Sequence, residues 1–125
     1  MDYFSVPGLI DTEERELLQK VTVLAVKQFG TEPVLVNLGV FLGASCYALR
    51  AGSLTAKLFG VDINGWDRLQ DTPELRAVLN MPLIQGDSRV VVKDFQKPIH
   101  VLFVDDVHNF DFVDAHCKAW AQMIP

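Results

Sequence analysis

The sequence predicts an α/β fold, with a parallel sheet of four strands covered by helices on both faces. Two features carry this reading. First, apolar runs rich in strand formers, at 34–38, 56–63, 81–84 and 99–104, alternate with segments of helical character, the pattern of parallel strands buried on both sides. Second, each run leads into small or polar residues: Asn37 to Gly43, Asp62, Asp87, and Asp105 to His108. All then fall at the carboxyl ends of strands, where open α/β sheets bind their ligands. The 125 residues, half of them apolar, suit one compact domain with a substantial core.

The first helix begins after the loop Ser5-Val-Pro-Gly-Leu-Ile-Asp11, with Asp11 and Glu14 in a capping arrangement. Glu13, Glu14 and Glu16 suit the positive end of the helix dipole, and Leu17, Leu18, Val21, Leu24, Ala25 and Phe29 recur at helical spacing until Gly30 stops the helix. Thr31-Glu-Pro33 leads into the strand that starts at Val34 and runs to Gly39. Gly39 and Gly43 permit a sharp turn and close approach of a ligand, while Ser45 suits a helix start. Their spacing is Gly-x-x-x-Gly, which is neither the dinucleotide Gly-x-Gly-x-x-Gly nor a phosphate loop, and which by itself also suits an ordinary turn.

A short helix, Ala44 to Ala51, is closed by Gly52, and the second strand, Ala56 to Ile63, ends on Asp62. Taken alone, Asp62 reads equally well as a turn residue before Asn64-Gly65. Its position some 20 residues after the glycine turn favours an acid that accepts both ribose hydroxyls of a nucleotide. Asp71 to Asn80 reads as a helix with proline in its first turn, and Met81 to Ile84 as a third strand reaching Asp87. Ser88 to Phe95 is helical or irregular, because Val90, Val91 and Val92 resist helix. The fourth strand, Ile99 to Val104, ends at Asp105-Asp106, and Phe110 to Met123 is an amphipathic helix.

A net charge of −5 without a basic cluster argues against nucleic acid or an anionic membrane as partner and favours a small ligand. Cys46 and Cys117 fall in predicted helices and outside metal-binding patterns, so both are expected to be reduced and buried. Without a signal-peptide pattern or an apolar run long enough to span a bilayer, the expected location is cytoplasmic.

With these motifs in order, the chain resembles the class I S-adenosylmethionine-dependent methyltransferases, in particular the small-molecule branch with Gly-x-Phe-x-Gly-x-Ser. That pattern stands as Gly39-Val-Phe-Leu-Gly-Ala-Ser45. Phe59-Gly-Val-Asp-Ile63, Leu83-Ile-Gln-Gly-Asp-Ser88 and Val101-Leu-Phe-Val-Asp-Asp-Val-His108 are similar to the signatures that follow it, and Val6-Pro-Gly8 to the loop before the first helix. The resemblance implies a Rossmann-like three-layer αβα fold with strand order 3-2-1-4, a methyltransferase fold shortened after its fourth strand. Residues 1–33 would form an N-terminal loop and helix, and 34–125 the cofactor-binding core.

The resemblance also implies roles. S-adenosyl-L-methionine would be the cofactor, its methionine part near Asn37, Gly39, Phe41, Gly43 and Ser45, its ribose on Asp62 beside Ile63, and its adenine near Asp87 and Ser88. Asp105 would line both the cofactor and the acceptor, with His108 as the base that takes the acceptor's proton; a polar residue at a helix start is the plainer reading of His108. Methyl transfer from a sulfonium depends chiefly on alignment, since the leaving group is already good. Asn37 replaces the family's usual acid, Asp106 replaces a glycine, and the chain ends where the family continues into further strands.

Other folds and functions compete with this reading, and motif order excludes the first of them. A phosphate-receiver domain carries its acidic pair after the first strand, whereas Asp105-Asp106 follows the fourth. A nicotinamide-binding Rossmann domain shares the acid after the second strand but requires the missing glycine motif. The magnesium of catechol-type methyltransferases uses further ligands beyond the fifth strand, so no metal is expected. A non-catalytic or truncated nucleotide-binding module is a further alternative. The edge strand Ile99 to Val104 lacks Lys or Pro to blunt it, which leads to an expected homodimer through that edge or the apolar surfaces beside it.

Overall fold

The computed structural model describes residues 11–39, 44–63, 77, 79–95 and 97–104. Phe41, Gly43, Asp105, Asp106, His108 and Cys117, the expected helix at 110–123 and most of that at 71–80 lie outside the described residues. In chain order the elements are α1 (Thr12–Phe29), β1 (Val34–Leu38), α2 (Ala44–Ala51), β2 (Lys57–Asp62), β3 (Leu83–Gln85), α3 (Ser88–Val91), a 3-10 turn (Val92–Asp94) and β4 (Val101–Val104). The strands form one parallel sheet in the order β3-β2-β1-β4, the expected Rossmann-like arrangement.

Side-chain alternation along β1 divides the core into two layers. Leu35 packs with Leu18 and Ala25 of α1 and Cys46, Tyr47 and Leu49 of α2. Val36 and Leu38 face the other way, into a cluster with Val61, Val92, Phe95 and Ile99. Phe95 also meets Phe59 edge to face at a ring separation of 5.5 Å.

The helix ends follow the sequence. Asp11 accepts a hydrogen bond from the Glu14 amide at 2.8 Å, and Gly30, at φ 95°, returns its own amide to Val26 O. The face that α1 buries differs from its apolar pattern. Arg15, Leu18, Thr22 and Ala25 are buried, whereas Leu17 and Leu24 are each 61 % exposed. Thr22 is accommodated because its hydroxyl donates to Leu18 O. Close contact with α2 also favours this face: a Cβ on Gly52 would run into Gln19 O and come within 2.6 Å of Thr22 Cβ.

Other boundaries are tighter than the sequence suggests. β3 ends at Gln85 rather than Asp87, because Gly86, at φ 157°, turns the chain and the Asp87 carbonyl accepts from the amides of Val90 and Val91 to start α3. β4 begins at Val101 rather than Ile99. Just before it, His100 pairs with Val34 twice: its amide donates to Val34 O, and its Nδ1 accepts from the Val34 amide, each at 2.9 Å. The imidazole thus continues the β1–β4 ladder as though it were backbone.

Arg50 anchors the far end of α2. Its guanidinium, 2 % exposed, donates to the carbonyls of Ser53, Ala56, Leu79 and Asn80. One side chain therefore fastens the turn before β2 to the segment before β3. Asn80 stands at φ 44°, a conformation asparagine tolerates better than most residues.

Candidate functional site

Parallel register brings the candidate residues onto one rim. Val34 pairs with Lys57 and Leu38 with Val61, and the Gly39 amide extends the ladder by donating to Val61 O at 2.8 Å. Gly39, at φ 86°, makes the turn that its lack of a Cβ allows. By the same register Asp62 stands level with Gly39, about one strand spacing of 4.8 Å away. On the other side Asp62 pairs with Gln85, and its carbonyl accepts from the Gly86 amide. Asp87 and Ser88 follow immediately, Asp87 partly exposed and Ser88 buried.

Asn37 and Asp62 also share a face. Asn37 has the parity of Leu35, and Asp62 that of Leu58, so both project to the side covered by α1 and α2. The charge of Asp62 is felt at Cys46, in the first turn of α2. An amide and a carboxylate therefore stand on the same side of the sheet, near the start of α2.

Asn37 is fully buried. Its Nδ2 donates to Gly39 O at 3.0 Å, which fixes the amide's orientation, and its Oδ1 has no hydrogen-bond partner among the described residues. Such an orphaned acceptor costs about 1–3 kcal/mol. It is suited to a ligand carrying an N–H or O–H donor.

Burial, reinforced by the nearby Asp62, pushes the Cys46 thiol up to about 12, against smaller lowering effects of the Ser45 hydroxyl and Arg50. The thiol therefore stays protonated at neutral pH and is no nucleophile. The expectation that Cys46 is reduced and buried holds.

The structure brings together Asn37, Gly39, Asp62 and the Asp87–Ser88 step. Ser45 lies within the first turn of α2, buried, one residue after the helix begins at Ala44, at the helix entry where it was expected. Ile63 flanks Asp62 with 67 % of its surface exposed, available as an apolar wall. Phe41, Gly43, Asp105 and His108 lie outside the described residues. Sequence reasoning missed Arg50, whose place at the end of α2 looks like ordinary dipole complementation; no local pattern marks its contacts 29 and 30 residues away. Among the described residues no three His, Cys, Asp or Glu side chains are grouped to hold a metal, and no helix is long and apolar enough to cross a membrane.

Solved structures share this architecture. An O-methyltransferase from Bacillus cereus, in complex with S-adenosylhomocysteine, superposes with a TM-score of 0.68 at 12% identity, over 96% of this chain and 56% of that one. The fold is that of the class I S-adenosylmethionine-dependent methyltransferases. The O-methyltransferase TomG from Streptomyces achromogenes, involved in tomaymycin synthesis and solved with S-adenosylmethionine, gives a TM-score of 0.72 at 13% identity, over 94% of this chain and 53% of that one. Precorrin 8w decarboxylase from Methanobacterium thermoautotrophicum gives 0.63 at 16% identity, over 97% and 61%. The methyltransferase fold therefore also carries a protein named for a different reaction. The chain spans about half the length of the two O-methyltransferases. No family model and no curated protein matches it in sequence.

Proposed function

We propose that this chain binds S-adenosyl-L-methionine and takes part in methyl transfer to a small-molecule acceptor. The observation that carries the proposal is the orphaned, buried Oδ1 of Asn37 on the same face and rim as Asp62. The residues present fit that cofactor. Asn37 Oδ1 would accept from its ammonium group, Gly39 would let the methionine part approach the backbone, Asp62 would accept from the ribose hydroxyls, and Asp87 with Ser88 would meet the adenine edge. When bound, the cofactor supplies a methyl group on a sulfonium, already activated for transfer. The chain's own task is then to orient it, and Asn37 is prepared for that because its Nδ2 is already held by Gly39.

In this reading Asp105 lines the cofactor and acceptor, and His108 takes the acceptor's proton. The proposal includes a cytoplasmic location and assembly as a homodimer. Calorimetry with S-adenosylmethionine and S-adenosylhomocysteine tests the nucleotide assignment: binding is expected, with Asp62→Ala weakening both. No binding at millimolar concentration, or an Asp62→Ala variant that binds as well as wild type, would remove it. NADH in the same cell tests the nicotinamide-binding alternative.

A nucleotide-binding module without turnover is the second reading of the same rim, since Asn37, Gly39 and Asp62 would serve binding alone equally well. A screen of hydroxyl, amine and carboxyl acceptors separates the two. Cofactor binding without transfer to any of them supports the module.

A further inference from the structure

The side of α1 turned away from the core carries an arrangement that the fold does not use. Leu17 and Leu24 are both exposed, with Val21 half-buried between them and Glu13, Lys20 and Lys27 exposed along one flank. At about 100° per residue, Leu17 and Leu24 lie almost in line along the helix. They are also placed symmetrically about the midpoint between Lys20 and Val21, and Glu13 and Lys27 are symmetric about Lys20.

We propose that this stripe pairs with the same stripe of a second copy, antiparallel, across a two-fold axis near Lys20 and Val21. Each Leu17 then lies across from the partner's Leu24, twice by symmetry, with the two Val21 side chains near the axis. On the flank each Glu13 faces the partner's Lys27, again twice. A second copy is the occupant because the pattern complements itself when reversed. The feature that selects a second copy is the charge match: Glu13 and Lys27, of opposite sign, are centred within half a residue of the leucine pair, as an isologous contact requires. One contact opposes the pairing, since the two Lys20 ammonium groups approach near the axis. Glu16, one turn earlier on the same helix, is placed to offset that charge. This assembly does not depend on the nucleotide reading, and it locates the interface on α1 instead of the β4 edge.

Sedimentation equilibrium of the full chain across a dilution series provides the test. The wild type should dimerise. Leu17→Asp should raise the dissociation constant about a hundredfold with an unchanged circular dichroism spectrum, because the side chain is exposed in the fold and two symmetric contacts are lost together. Glu13→Lys and Lys27→Glu should each weaken self-association about tenfold, and mixing the two variants should restore a heterodimer of wild-type strength, since unlike chains regain both charge pairs. Lys20→Gln should tighten the dimer. A monomer at every concentration would overturn the proposal, as would a dimer indifferent to Leu17→Asp. Single charge variants whose mixture is no tighter than either alone, or a dimer dissociated by Leu102→Lys on β4 but not by Leu17→Asp, would overturn it equally.

Discussion

Replacing Asn37 by leucine, of similar size, separates what this residue does for folding from what it does for binding. The buried Oδ1 has no hydrogen-bond partner among the described residues, a penalty of about 1–3 kcal/mol that leucine removes. The substitution sacrifices the Nδ2 bond to Gly39 O, a net loss of about 0.5–1.5 kcal/mol, and leaves that carbonyl without this donor. Leucine also adds apolar area to the layer already formed by Leu35 and Leu49. The terms nearly cancel, so stability should stay within about 1 kcal/mol of wild type. Binding has no such compensation. Loss of a hydrogen bond from a charged donor is worth about 1.5–3 kcal/mol, roughly a tenfold to hundredfold rise in Kd for S-adenosylhomocysteine. Methylthioadenosine, which lacks the ammonium group, should bind Asn37→Leu and wild type alike. Urea unfolding and calorimetry on the same preparations provide the two readouts. A variant that is severely destabilised, or that binds both nucleotides as wild type does, would refute the assignment of Oδ1 to the ligand.

Other perturbations follow from the packing. Arg50→Met withdraws a donor from four carbonyls, and urea unfolding should show a loss of about 3 kcal/mol or more; Arg50→Lys should recover less than half, because a single ammonium cannot reproduce the guanidinium fork. Gly52→Ala forces a Cβ against the backbone of α1 and should cost about 1–3 kcal/mol, read as a lower unfolding midpoint; an unchanged midpoint would mean that α1 and α2 separate easily. For Cys46 the folded thiol lies at about 12, above its ordinary value of 9.0, so its contribution is complete below pH 9 and is lost as pH rises toward 12. The stability of wild type relative to Cys46→Ala should therefore fall above pH 9, by up to about 1.4 kcal/mol per unit, and parallel pH profiles for the two proteins would contradict it.

Sequence by itself determined the elements that depend on neighbours along the chain. Asp11 and Gly30 mark the ends of α1 because caps act within a turn. The apolar run at Val34 and the acid at Asp62 mark strand ends because a buried parallel strand admits little polarity before its rim. From these the sheet and its polar rim were legible, and the resemblance supplied the strand order. Tertiary structure decided what depends on distant partners. Leu17 and Leu24 match helical periodicity as well as Leu18 and Ala25 do, and only the packing of α1 on α2 at Gly52 settles which face is covered. His100 looks like a polar interruption of a strand until its Nδ1 meets an amide 66 residues earlier in the chain. Asn37 looks like a weakened acid in sequence. In the fold it is an amide with one end held by Gly39 and the other buried without a partner among the described residues, because its orientation is set by a turn that begins two residues later.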